Sequence, residues 1–164
     1  MPNNKKDEEA KPLIYVSFDP ADIKYLQTFE AQMTPALRHL DMQLWHRKKI
    51  LPGARWVHEM AIHMEQCVLF VMLLSAESLA SHDCTIETTA LPKLRQSNPS
   101  VQTVSVLLRP CGWEYSAYYS FPMFPQRIGR DGSRLAVSGY ANQSQAWDEV
   151  AKGIISLVAP KQLP

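Results

Sequence analysis

The sequence predicts an α/β domain built on a parallel sheet. Two observations carry that prediction. Short apolar runs at 13–18, 42–45, 68–74 and 101–108 alternate with amphipathic stretches along the chain. The strongest of these runs are nearly continuous, as strands buried on both faces require. Strand–helix alternation of this kind gives a parallel sheet with right-handed crossovers.

The elements follow in order. Residues 1–11 are polar and charged and read as a disordered leader. Leu13–Phe18 is the first strand, ended by Asp19-Pro20. Asp19 is placed to cap a helix, with Pro20 in its first turn. Ile23, Leu26, Phe29 and Met33 then fall at helical spacing to about His39, with Pro35 expected to kink or interrupt the helix. Met42–Trp45 is a short second strand, followed by the basic run His46–Lys49 and the turn Ile50-Leu51-Pro52-Gly53. A second helix spans about Arg55–Gln66, and Val68–Leu74 is the central strand. Ser75–Asp83 is a loop or short helix. A third helix covers Cys84 to about Lys93, with Pro92 limiting its regularity. Val101–Leu108 is the next strand. Residues 109–142 are an irregular connection rich in Pro, Gly, Tyr and Ser, and long connections are often functional. The last helix runs from about Ser144 to Val158, leaving a tail at 159–164.

Composition excludes several function classes. The 164 residues are 46% hydrophobic and 20% charged with a formal net charge of +1, so no basic excess points to a nucleic-acid partner. The longest apolar run, Val68–Leu74, is far short of the roughly 20 residues a membrane span needs. Cys67, Cys84 and Cys111 fit neither a disulfide framework nor a paired zinc motif. The expectation is a cytoplasmic, metal-free domain with no membrane or nucleic-acid contact.

Ligands in open parallel sheets bind beyond the carboxyl ends of the strands, so the loops after Phe18, Trp45, Leu74 and Leu108 should line any site. None of them carries a G-x-G-x-x-G or a G-x-x-x-x-G-K-[ST] pattern, which argues against a Rossmann dehydrogenase and a P-loop NTPase. No G-x-S-x-G nucleophile elbow occurs. His58 and His63 are five apart, not the four of a helical zinc pair. Glu87 follows the loop after the central strand and so lies near the carboxyl edge. Its plain alternative is a solvated helix glutamate. The run His46–Lys49 follows the second strand at the same edge and is placed to meet phosphates. Its plain alternative is a solvated charge run.

The ordered set of segments resembles a TIR (Toll/interleukin-1 receptor homology) domain of the bacterial type, over residues 12–158. Ile14-Tyr15-Val16-Ser17-Phe18-Asp19 is similar to that family's opening strand. Trp45, Ile50, Pro52, Gly53 and Trp56 match the passage containing its BB loop. Ser81, Cys84 and Glu87 match the pattern after its central strand. Val106 through Trp113 and Ala146 through Ile154 match two later segments.

The resemblance implies a flavodoxin-like three-layer sandwich, a five-stranded parallel sheet with helices on both faces. It implies cleavage of NAD+ at the nicotinamide–ribose bond, with Glu87 as the catalytic residue and NAD+ as substrate, not cofactor. Ser17, Phe18, Asp19, His46, Lys49, Trp56, Ser75 and Cys84 are the implied substrate-binding residues. Ile50, Leu51, Pro52 and Gly53 are the implied assembly loop. The implied partners are other TIR domains and a separate sensor or effector protein, in bacterial antiphage immunity. Bacterial members often carry acidic residues after the tryptophan, where this chain has His46-Arg47-Lys48-Lys49. That departure points to phosphate contact, altered substrate choice or weak activity. The competing expectation is a non-catalytic TIR module or mimic acting through TIR–TIR contacts. A receiver domain is disfavoured, since it needs paired acidic residues where only Asp19 stands.

Overall fold

A strand with no solvent-facing side can only be central. All five residues of β1 (Leu13–Ser17) and seven of the eight of β3 (Cys67–Leu74) are buried. The two strands pair in parallel at the middle of the sheet. β2 (Gln43–Trp45) adds outside β1, and β4 (Gln102–Leu107) and β5 (Met123–Phe124) add outside β3. The order is β2-β1-β3-β4-β5, parallel throughout. This is the flavodoxin-like order, and its switch point lies between β1 and β3. The computed structural model describes residues 11–159. The expected leader and tail lie outside the described residues except for Lys11 and Ala159.

Two apolar layers sandwich the sheet, sorted by the two-residue period of strands. Ile14, Val16 and Leu44 face α1 (Ile23–His39) and α5 (Gln143–Val158), where they meet Leu26, Phe29, Trp147 and Ile154. Leu13, Tyr15 and Trp45 face α2 (Trp56–Gln66) and α4 (His82–Ser97), where they meet Met60, Met64, Cys84 and Leu91. A short helix α3 (Ala76–Ala80) joins β3 to α4, with Ser75 as its N-cap in a reciprocal capping box.

Neither proline interrupts its helix, and α4 runs past the expected end near Lys93. α1 passes through Pro35, and α4 passes through Pro92 to Ser97. A helix-interior proline costs about 3 kcal/mol. Buried Phe29 and Met33 anchor one helix and buried Leu91 the other, so tertiary packing outweighs that penalty. The irregular stretch also hides the fifth strand. Met123–Phe124 is only two residues long, and short 3-10 turns replace the usual crossover helix. Phe124 lies so close to α5 that a side-chain carbon added at Gly153 would sit 2.4 Å from its ring. Among the described residues no helix is long and apolar enough to cross a membrane.

Candidate active site

α4 begins where Ser81 accepts a hydrogen bond from the Cys84 amide at 3.2 Å. Asp83, Cys84 and Glu87 then recur at helical spacing, so one face of the helix carries all three toward the carboxyl ends of β1 and β3. Glu87 is wholly buried, at 0% exposure. The plain alternative of a solvated glutamate is therefore overturned.

Three groups of the same chain donate to that carboxylate. Ser17 Oγ reaches Oε1 at 2.8 Å, Arg47 Nε reaches Oε1 at 2.9 Å, and the Tyr15 hydroxyl donates to Oε2. Tyr15 and Ser17 are two apart on β1, hence on one face. Burial raises the Glu87 carboxyl above its usual range, while Arg47 and the hydrogen bonds from Tyr15 and Ser17 pull it back down. Burial, then the neighbouring Glu87, pushes the Tyr15 phenol well up, so it stays a donor. Cys84 is buried beside them, and burial raises its thiol too, which disfavours a reactive thiolate.

Arg47 is the hub of the site. Its Nη1 donates to Asp83 Oδ2 at 2.9 Å, and its Nη2 donates to the Phe18 carbonyl at 2.5 Å. The guanidinium carbon lies 5.8 Å from the centre of the Phe18 ring and 5.9 Å from that of Trp56. Phe18, Pro20, Ile23, Arg47 and Lys48 line an adjoining cavity of about 440 Å³. A larger cavity of about 530 Å³ lies behind α4, lined by residues such as Leu91, Pro92, Arg95 and Phe121, and holds no carboxylate.

The expected substrate residues divide. Ser17, Phe18, Trp56 and Cys84 gather around Glu87 and Arg47. Asp19 instead accepts from the Ala21 amide at 2.8 Å and caps the turn Pro20–Asp22. His46 is buried against Glu30 of α1 (Nε2 to Oε1 2.8 Å), and burial lowers its pKa. Lys49 donates to the Leu44 carbonyl at 2.5 Å. Ser75 donates to buried Asp22, which also accepts from Arg109 Nη2 at 2.8 Å in a separate cluster. The basic run is thus split between two faces. Strand alternation explains the split: Leu44 and His46 point to the α1 side, Trp45 and Arg47 to the α4 side. Sequence reasoning missed Tyr15 and named Arg47 only as one member of the basic run. The available signal was parity, since Tyr15 is two residues before Ser17 and Arg47 two after Trp45. In the expected assembly loop, Gly53 turns at φ 86° and Leu51 is 76% exposed, while Ile50 packs partly against the α4-side core.

The sequence profile of the TIR domain matches residues 14–129, which span the whole Glu87 site. The chain belongs to the TIR domain family. A relative in sequence is the uncharacterized protein y4lF of Sinorhizobium fredii, 23% identical over 144 residues. That match covers 87% of this chain and 42% of the relative, so the chain spans about two fifths of the relative's length. Among solved structures, the RPS4 and RRS1 TIR domain heterodimer matches with a TM-score of 0.55 at 12% identity, covering 90% of this chain and 98% of that one. The TIR domain of the Toll-related receptor TRR-2 from Hydra magnipapillata matches at TM-score 0.46 and 15% identity, covering 68% and 82% of the two chains. The likeness to the heterodimer supports the TIR fold and nothing finer.

Proposed function

We propose that this TIR domain hydrolyses NAD+ at the nicotinamide–ribose bond, with Glu87 as its catalytic residue. The observation that carries the reading is a buried glutamate at the β1/β3 switch point, held by donors and bordered by an aromatic, cationic cavity. Nicotinamide departs as a neutral group, taking the electron pair of the broken C–N bond, so it needs little acid assistance. The ribose acquires oxocarbenium character, as in glycoside cleavage. A carboxylate freed from Arg47 and still held by Ser17 meets the ribose hydroxyls and stabilises that positive charge. Water adds at the anomeric carbon and loses a proton, giving ADP-ribose; attack by an internal nitrogen or hydroxyl gives a cyclic product instead.

Phe18 and Trp56 are the aromatic faces closest to this chemistry, and Ser17 is the residue that keeps the carboxylate in place. The proposed setting is cytoplasmic bacterial antiphage defence. Self-association through Ile50–Gly53 and a separate sensor or effector would supply activation. Incubating the purified chain at high concentration with NAD+, followed by mass spectrometry, tests the reading. Nicotinamide with ADP-ribose or its cyclic form is expected. Intact NAD+ at every protein concentration and under crowding would overturn it.

One observation favours a second reading. Glu87 is fully occupied by its own chain, as a structural residue of a non-catalytic interaction module would be. The heterodimer of the related TIR structure is the precedent for such contacts. Under that reading, binding to a second TIR domain is retained in Glu87→Gln and no NAD+ is consumed.

A further inference from the structure

Glu87 has no exposed surface, and no substrate can touch it in this conformation. Of its donors, Tyr15 and Ser17 are fixed in β1, but Arg47 is not. Arg47 starts a 3-10 turn of three residues, Arg47–Lys49, and the next segment carries exposed Leu51 and the open turn at Gly53. Segments with few buried contacts are the ones that open at low cost. Arg47 nevertheless keeps only 12% of its side chain exposed, because Glu87, Asp83 and the Phe18 carbonyl all hold its guanidinium.

The cavity beside it supplies the opposing pull. Its lining presents two cations, Arg47 and Lys48, on an apolar wall of Phe18, Pro20 and Ile23, and no acidic side chain. A guanidinium fork matches a phosphate as well as it matches a carboxylate. We propose that Arg47 is a gate residue: it closes over Glu87 in the resting chain, and a diphosphate-bearing ligand in the adjoining cavity opens the site by taking the guanidinium away from Asp83 and Glu87. This rests on Glu87 being the working carboxylate and adds how that site is controlled. Arg47 is then the self-inhibiting element of this chain. A closed state favoured about 100-fold would weaken the apparent affinity for substrate by about the same factor.

The test reads the gate without any NAD+ chemistry. Carboxyl groups are labelled with a carbodiimide and glycine ethyl ester, and peptide mass spectrometry follows Glu87. Buried Asp22 serves as the internal control for unfolding. In the wild type Glu87 should be protected, and millimolar pyrophosphate should raise its labelling while leaving Asp22 protected. Asp83→Asn, at a position half exposed and tolerant of change, should raise Glu87 labelling several-fold. Arg47→Ala should raise it further, with circular dichroism reporting whether the fold survives. Unchanged Glu87 labelling in a folded Asp83→Asn protein and in a folded Arg47→Ala protein would overturn the gate. Labelling that rises in the variants but ignores pyrophosphate would overturn the diphosphate as opener. Labelling that rises as expected without NAD+ turnover in any variant would strike the NAD+ reading and leave the gate standing.

Discussion

Two buried carboxylates sit at the carboxyl edge of the same sheet, and each is met by an arginine and a serine. Asp22 accepts from Ser75 and from Arg109, which follows β4 and also holds Glu77 at 2.6 Å. Glu87 accepts from Ser17, Tyr15 and Arg47. The difference lies in where each arginine comes from. Arg109 leaves a buried strand end, and its carboxylate ties the exits of β1, β3 and β4 together. Arg47 leaves the last turn before an exposed loop, and a cavity opens beside it. The same pair of charges is a lock in one place and a latch in the other.

Removing each arginine separates the two roles. Arg109→Ala strands a buried aspartate, but the arginine itself is 36% exposed, so the loss should fall below the roughly 3–5 kcal/mol typical of a fully buried pair. Its exposed contact with Glu77 adds at most about 1 kcal/mol. Urea unfolding should show this loss, with no gain in Glu87 labelling. Arg47→Ala should cost about 3 kcal/mol at pH 8 by the same rule, but much less near pH 5. The sign follows from linkage. Burial already raises the Glu87 carboxyl, and without Arg47 it rises further. A raised acid stabilises the fold below its unfolded value and loses that contribution as pH climbs through the folded value. Equal destabilisation at both pH values would break the distinction between lock and latch.

Two glycines sharpen the contrast between the rigid and the movable side of the sheet. Gly153→Ala drives a carbon into the Phe124 ring, so the usual helix gain of about 1 kcal/mol turns into a loss of about 1–3 kcal/mol. Gly53→Ala meets no atom within 4 Å and loses only the left-handed backbone preference, about 1 kcal/mol. Thermal unfolding of the two variants reads the difference. The smallest effect is expected at His46. Burial lowers its pKa, so its contribution is present above the unfolded value near 6.5 and is lost as pH falls. Glu30, Lys48 and Lys49 are the charged groups around it. His46→Gln should flatten the fall in Tm between pH 7 and pH 5.

The sheet was legible in the sequence because both-sided burial writes continuous apolar runs. Leu13–Ser17 and Cys67–Leu74 announce themselves that way. Met123–Phe124 does not, since two residues cannot display a period. Pro92 misled about where α4 ends, because local propensity carries no record of the packing that overrides it. In the site, the Ser81, Cys84 and Glu87 spacing marked the catalytic candidate through resemblance alone. Charge runs hide direction, so His46, Arg47 and Lys49 looked equivalent, although each meets a different partner: Glu30, Glu87 and the Leu44 carbonyl. Tyr15 was concealed inside an apolar run, where an aromatic reads as core.

The most direct test compares NAD+ consumption by the wild type, Asp83→Asn and Glu87→Gln at matched concentration. Asp83→Asn should turn over faster than the wild type because its latch is weakened. Glu87→Gln, close in shape, should show no turnover and an unchanged fold by circular dichroism. NAD+ cleavage by Glu87→Gln at the wild-type rate would contradict the account.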